Sequence, residues 1–559
     1  MTKQDYLEGA VPYDEEIIRK YTARGWWLNQ TYGDILDATT ARFPDNVALI
    51  DDRAHLTYAE LKPKVDRLAI ALLEMGIKKH DRILFQLPNR HEFVVAFYAA
   101  QRIGAVPVIM VVRQEYQEVS HFFRLTEPVA WIVPARDGKR EFAGLIDRIR
   151  SESGSLKYLI MADSEGMADG AFSVDRLVDG IDPDKYPVGY LSRFRPDPND
   201  VAMILTTGGT TGLPKGVPRT HNSFLTCVRL SNLTVEPGDI RALVTPIGHT
   251  MAHQGTIGGA IMYGAGIVML TPRVKGMLEA IQKHRITDID FVPTLLEDFL
   301  NYPELSHYDL SSLKMLRTVG AALRPETAER ARQFLGKLGA QFGGGGFGST
   351  EGPSAGKPAG DGSEIPKGAV GRPGCEGDHW KVVDDSEREL PSNSEGELAA
   401  KGPCVFTGYY RSEEENRAIF TKDGYYKMGD LGKIDEGGNI YITGRKKDII
   451  QRGGEGIIPA EIENLLHQLP AVERAAVVGM PDTRLGEKAC AFVVLKPGTT
   501  LGFDEMVRSL REKGASVLLL PERLEIIADL PRTTVGKVDK KALVQTITQK
   551  LMEEGALGR

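Results

Sequence analysis

The densest chemistry in this sequence lies in residues 206–216, TTGGTTGLPKG, directly after the apolar run VAMIL. Gly208 and Gly209 let backbone N–H groups crowd around an oxyanion, and Thr206, Thr207, Thr210 and Thr211 add short hydroxyl donors. Lys215 adds a mobile positive charge. The run is not a Walker A loop, which requires Gly-Lys-[Ser/Thr], because Lys215 follows Pro214 and precedes Gly216. Its unbroken Thr/Gly stretch followed by Pro-Lys-Gly reads as a phosphate cradle rather than a plain flexible turn. Four further positions carry candidate chemistry. Glu351 follows Ser349-Thr350, as an oxygen ligand for a hard cation or as a helix-start cap. Asp430 is an acceptor-only carboxylate or a turn residue in Gly-Asp-Leu-Gly. Arg445 ends a strand-like run. Lys537 follows a glycine in VGKVDKK.

Those residues need a scaffold. RILFQLP from Arg82 reads as a buried strand, HEFVVAFYAAQRIG as a helix ending near Gly104, and AVPVIMVV as a second strand, which together make one βαβ unit with parallel pairing. The pattern returns at VAMILTT, ALVTPI, GAGIVMLT, DIDFVPT and KMLRTVG. After about Gly371 the texture changes to short alternating runs with a Gly437-Gly438 turn, which predicts a small antiparallel region. From Lys446 the chain reads as a compact α+β unit. The expectation is an α/β protein. A large N-terminal domain, residues 1–445, holds layered α/β sheets and a small β region, and a small mobile α+β domain spans residues 446–559.

Composition narrows the function classes. At 559 residues the chain exceeds one compact core. A formal net charge of -7 argues against nucleic-acid binding through a general basic surface. Cys227, Cys375, Cys404 and Cys490 form no Cys-x-x-Cys motif and no disulfide framework. The acidic N-terminus lacks the apolar core of a signal peptide, and no apolar run approaches the ~20 residues that span a bilayer. The expectation is a cytoplasmic protein without a membrane span, monomeric or homodimeric.

The phosphate loop resembles the signature of the adenylate-forming superfamily: acyl-CoA synthetases, aryl-acid AMP ligases, peptide-synthetase adenylation domains and firefly-type luciferases. FGSTEG at 347–352, YYKMGD ending at Asp430, GRKKDIIQRGGEGIIPAEIE at 444–463 and PRTTVGKVDKKAL from Pro531 resemble four more of its motifs, in family order. The resemblance implies an enzyme that joins a carboxylate to AMP from ATP and passes the acyl group to a thiol. Charge builds on the reacting oxygens and on phosphorus, and positioned cations and N–H donors stabilise it.

The resemblance also implies roles. The Thr/Gly loop and Lys215 hold the β- and γ-phosphates, Thr350 reaches the α-phosphate, and Glu351 holds Mg²⁺. Phe347 and Gly348 face adenine, with Gly320, Ala321 and Ala322 on its other side; a core aromatic is the alternative reading of Phe347. Asp430 takes the ribose hydroxyls and Arg445 touches ribose and phosphate. Lys537 bridges the carboxylate and the α-phosphate during adenylation. Lys447 is the hinge of a domain rotation, after which Gly453 and Gly454 let a pantetheine arm pass; a plain hairpin is the alternative reading of the two glycines.

The branch it most resembles is the dihydroxybenzoate type, where the acid-pocket segment carries His-Asn-Tyr and a later serine. Here that segment keeps His249, as a gate or a packed histidine, but has Thr250, Met251 and Gly255 at the other three positions. Methionine and glycine offer shape and apolar surface in place of hydroxyl partners. The expected acid is therefore a less polar ring, such as benzoate or a cyclohexanecarboxylate, or a short hydrocarbon acid, and the expected thiol is coenzyme A. The alternative is an aryl-acid AMP ligase of the 2,3-dihydroxybenzoate or salicylate type that loads a carrier-protein phosphopantetheine.

Overall fold

The computed structural model describes residues 6–555 except 164, 208–213, 319, 321–322, 324, 344–345, 357–364 and 534–536. Gly208, Gly209, Thr210, Thr211, Ala321 and Ala322 therefore lie outside the described residues. Two seven-stranded sheets form the bulk of the chain. One is built on parallel strands Val201–Thr206, Val106–Ile109, Arg82–Phe85, Ala130–Val133 and Tyr158–Met161, and Gly216–Thr220 closes its edge antiparallel. The other is built on Met315–Thr318, Asp288–Phe291, Ile240–Leu243, Gly266–Met269 and Val47–Ile50, again parallel. The βαβ unit expected at residue 82 is present, with Arg82 paired to Val106 and Phe85 to Ile109.

The helix of that unit, His91–Arg102, is buried at every position from Glu92 to Gln101. A helix apolar all round packs inside a molecule rather than on it. Phe93, Phe97 and Tyr98 join Leu205, Phe224, Ile257 and Ile267 in one core cluster that draws on both sheets. The residues that line the site project from the edges of this core, so its packing fixes their positions.

The small β region is a four-stranded antiparallel sheet of His379–Val383, Gly396–Lys401, Tyr426–Ile434 and Ile440–Arg445. The last two strands turn at Gly438, whose φ of 77° suits glycine. Beyond Arg445 a separate five-stranded sheet, with helices Pro459–Leu466, Phe503–Glu512 and Lys540–Glu553, forms the small C-terminal domain around its own cores. Among the described residues no helix is long and apolar enough to cross a membrane.

Two histidines at the core make the large domain sensitive to acid. His221 is 1% exposed, and its Nδ1 accepts from the Tyr32 backbone N–H at 3.3 Å; His253 is 2% exposed, with Nε2 donating to the Ile247 carbonyl at 2.8 Å. Burial pushes both to about 4 from 6.5. The unfolded chain takes up these protons as pH falls through 6.5, whereas the folded chain resists until about 4. Stability is therefore expected to fall with pH across that window, by up to about 1.4 kcal/mol per pH unit for each histidine. Urea midpoints measured from pH 7.5 to 5 check this; a flat midpoint between pH 6.5 and 5 would contradict it.

Candidate active site

Thr206 pairs with Gly216 across the edge of the first sheet. Thr207 closes the mouth of the phosphate loop: its N–H donates to the Lys215 carbonyl, and its hydroxyl accepts from the Lys215 N–H, both at 3.1 Å. The Lys215 ammonium lies 4.8 Å from the Tyr409 ring centroid and is ion-paired with Glu415. A bound phosphate would have to displace Glu415 to reach it.

Thr350 and Glu351 sit in a turn between the short strands Phe347–Gly348 and Ser354–Gly356, so the helix-cap reading of Ser-Thr-Glu does not hold. Glu351 is 8% exposed, and Tyr409 orients it by donating its hydroxyl to Oε1 at 2.8 Å. The Thr350 carbonyl accepts from Arg219 at 2.9 Å. The turn is held against the loop that carries Cys404, where a Cβ on Gly352 would lie 1.8 Å from the Cys404 carbonyl oxygen. Phe347 is half-buried and packs edge-on to Trp380, with centroids 5.9 Å apart, while Gly348 is exposed. One edge of Phe347 thus serves the core, and sequence offered a choice between core and ligand where the structure gives it a place at the border.

Asp430 is a strand residue, not a turn residue. It lies directly across from Arg445, whose Nε is 3.1 Å from its Oδ1. Burial raises the Asp430 carboxyl, Arg445 opposes that, and Glu351 adds to it. Lys447 follows in the short 3-10 turn Lys446–Asp448, and burial and then Arg445 push it below the usual lysine range. Lys537 arrives at the same place from the far end of the chain. As a residue it keeps solvent access, yet its ammonium is desolvated and lies near enough to Arg445 and Lys447 to be pushed down, with Asp430 and Glu351 opposing. His249 is held to about 4, by burial first and then by the charge of Lys537, so it is neutral at neutral pH. Lys537, Arg445, Lys447, Asp430, Glu351 and His249 therefore form one electrostatic neighbourhood.

The acid-pocket segment is helical and passes through one π turn, Ala252–Ile257, a distortion common at functional sites. Two of the three departures from the resembling branch have polar neighbours. The Thr250 hydroxyl is 3.0 Å from that of Thr350. A Cβ on Gly255 would stand 2.9 Å from Asp290 Oδ2, so a carboxylate lies where the resembling branch carries a serine. The Met251 sulfur would be 3.4 Å from a Cβ on Gly320, whose φ is 86°. Asp290 is held by Arg317 Nε at 2.7 Å through Oδ1, and Arg241 lies 3.5 Å from Oδ2. These cations outweigh the effect of burial and keep Asp290 below the usual carboxylate range. Gly453 and Gly454 form the exposed tip of the hairpin between Ile450–Arg452 and Glu455–Ile457, with φ of 61° and 92°. The hairpin reading of the two glycines is therefore met here. Tyr409, Arg219 and Asp290 were not singled out in the sequence, because each acts through a partner remote in the chain.

Residues 36–410 match the AMP-binding enzyme family, and residues 461–537 match the AMP-binding enzyme C-terminal domain. The chain belongs to the AMP-binding enzyme family. It is 33% identical to 2,3-dihydroxybenzoate-AMP ligase of Bacillus subtilis, over 98% of this chain and 99% of that protein. It is 33% identical to a salicylyl-CoA synthase / salicylate adenylyltransferase of a Streptomyces species, over 97% and 98%. Among solved structures it matches ATP-bound MatB of Rhodopseudomonas palustris at 26% identity, over 94% of this chain and all of that one, with a TM-score of 0.80. The TM-score to apo MatB is 0.70. The protein is thus an adenylate-forming ligase with a large layered domain and a small C-terminal one.

Lys537→Ala is expected to abolish adenylate formation while largely sparing thiol transfer to a supplied acyl adenylate, because the role that the family resemblance implies for this cation lies in forming the bond to phosphorus. Separate assays of the two half-reactions check this, and equal loss in both would remove Lys537 from that step.

Proposed function

We propose that this enzyme activates a ring-bearing carboxylic acid with ATP and then transfers the acyl group to the thiol of coenzyme A. The observation that carries the reading is the meeting of Lys537 with Arg445, Asp430 and Glu351 beside Thr350 and His249. Three cations within electrostatic reach of one another match a polyphosphate and the incoming carboxylate. In this arrangement Asp430 accepts the ribose hydroxyls, and Arg445 and Thr350 face the α-phosphate. Lys537 lies between that phosphate and the acid, and Lys215 holds the departing pyrophosphate once Glu415 yields. Glu351, fixed by Tyr409, would hold Mg²⁺, which would neutralise phosphate charge. Neutral His249 adds no positive charge beside the acid. The higher TM-score to the ATP-bound form of MatB supports reading this as the adenylating arrangement.

The neighbours of Gly255 change the expected acid. Among the described residues Asp290 Oδ2 has only a long contact to Arg241, and in this reading it accepts from a hydroxyl or amino group on the ring. The names of the curated relatives, which act on salicylate or 2,3-dihydroxybenzoate, support a hydroxylated aromatic acid over an unsubstituted ring. An unmatched buried acceptor costs about 1–3 kcal/mol, roughly tenfold to a hundredfold in specificity. In kcat/KM measured for salicylate, 2,3-dihydroxybenzoate, aminobenzoates, benzoate and cyclohexanecarboxylate, a donor-bearing ring acid is expected to exceed benzoate by about tenfold or more. A lead for benzoate or cyclohexanecarboxylate would restore the apolar pocket.

A second reading, loading of a phosphopantetheine carrier protein, is supported by the 2,3-dihydroxybenzoate-AMP ligase relative. In this reading both thiols reach the adenylate past the Gly453-Gly454 hairpin, whose tip is exposed here. Rotation about Lys447 would exchange that hairpin and Lys537. Lys447→Pro, which fixes φ near −65°, is expected to keep adenylation and collapse thioester formation. Normal turnover of that variant in the complete reaction, with coenzyme A or a carrier, would show that the pivot lies elsewhere.

A further inference from the structure

Three of the four cysteines, far apart in sequence, meet in one buried place. Cys227 lies on the helix His221–Ser231, Cys375 just after the strand Arg372–Pro373, and Cys404 in the loop after Gly396–Lys401. All three are at most 2% exposed and pack as one cluster. Asp378, 6% exposed, joins them: its carboxylate and the sulfurs of Cys375 and Cys404 all lie within 4.8 Å of one another. Cys227 Sγ is 3.9 Å from the Cys404 carbonyl oxygen and 3.5 Å from Arg219 Nη2.

Buried thiols alone behave as small apolar groups and call for no ligand. The aspartate does not fit that account. Its Oδ1 accepts from the Cys404 N–H at 3.1 Å, but among the described residues its buried Oδ2 has no hydrogen-bond partner. Native interiors rarely leave a carboxylate oxygen so. The chain also makes room for this carboxylate, since a Cβ on Gly402 would lie 2.2 Å from Oδ1. Cys375, Cys404 and Asp378 bring three donors together, and Cys227, whose thiol now donates to the Ser223 carbonyl at 3.3 Å, packs beside them as a fourth. The set mixes sulfur and oxygen, with the soft majority that tetrahedral zinc prefers and that Mg²⁺ and Ca²⁺ do not.

We propose that Cys375, Cys404 and Asp378, joined by Cys227 once its thiol leaves the Ser223 carbonyl, form a structural zinc site, separate from the Glu351 position. On binding, three S–H bonds give way to three S–Zn bonds, the three protons pass to solvent, and no electron is transferred. Three thiolates and a carboxylate leave the zinc centre with a net negative charge, which the Arg219 guanidinium partly offsets. The same Arg219 ties this centre to the adenylate site: Nη2 donates to the Cys404 carbonyl at 2.7 Å and Nη1 to the Thr350 carbonyl at 2.9 Å. The metal would brace the wall behind Thr350 and Glu351 and take no part in the reaction.

The test uses the full chain, expressed with zinc in the medium, and the same chain refolded with cobalt(II) alone. Metal analysis is expected to find about one zinc per chain after dialysis, released when thiols are modified. The cobalt form is expected to show intense near-ultraviolet sulfur-to-cobalt charge transfer and the visible bands of a tetrahedral ion. Cys375→Ser and Cys404→Ser are expected to lose these bands and Asp378→Asn to alter them, while Cys490→Ser in the C-terminal domain keeps them. Should the cysteine variants fail to fold, the wild-type readings decide alone. Folded, active wild-type protein with less than about a tenth of an equivalent of zinc, and no charge-transfer band after refolding with cobalt, would overturn the proposal and leave a plain thiol core.

Discussion

The site depends on gathering like charges in one pocket and holding them there before a ligand arrives. Lys537, Arg445 and Lys447 converge, and burial and mutual repulsion push both lysines below their usual range. Such an arrangement is costly for the empty protein and favourable for a polyanion, so the free energy stored in the repulsion favours nucleotide binding. Asp430 and Glu351 offset part of the positive charge. The chain as a whole is negative, with a net charge of -7, so the attraction for phosphate is local and built by the fold.

The rest of the structure exists to keep those groups in register. The antiparallel pairing that sets Asp430 opposite Arg445 is a backbone constraint, fixed by the Gly438 turn. Tyr409 orients Glu351, and Arg219 joins the turn at Thr350 to the Cys404 loop. The acid side rests on another buried ion network, Arg241, Asp290 and Arg317, whose members come from three neighbouring strands of one sheet. Breaking such a network by removing one partner is more damaging than never having built it, because a buried charge is left uncompensated.

Much of this was legible in the sequence because the motifs are contiguous and carry their own chemistry. The phosphate loop, Glu351, Asp430, Arg445 and Lys537 each announce a donor, an acceptor or a charge by residue type and neighbours. The strand and helix pattern was legible for the same reason, since period and turn residues are local. What failed to show were contacts between distant segments. Nothing local in the sequence pairs the Thr250 hydroxyl with that of Thr350, a hundred positions on. Gly255 looked like empty space, yet Asp290 occupies the space next to it. The cysteines carried no spacing motif because their meeting is tertiary. Phe347 and Glu351 had plausible local alternatives, and only the position of Trp380 and the absence of a helix at that turn separated them.

The central claim is that a carboxylate oxygen attacks the α-phosphorus of ATP in the pocket that Lys537 enters. Its most direct test follows an atom. The enzyme is supplied with a substrate acid whose carboxylate carries heavy oxygen, together with ATP and the thiol, and the products are weighed by mass spectrometry. The account predicts one heavy oxygen in AMP and none in pyrophosphate, because the bond from carboxylate to α-phosphorus forms first and the thiol then breaks the carbon–oxygen bond. Heavy oxygen in inorganic phosphate with ADP as the nucleotide product, or unlabelled AMP, would contradict it.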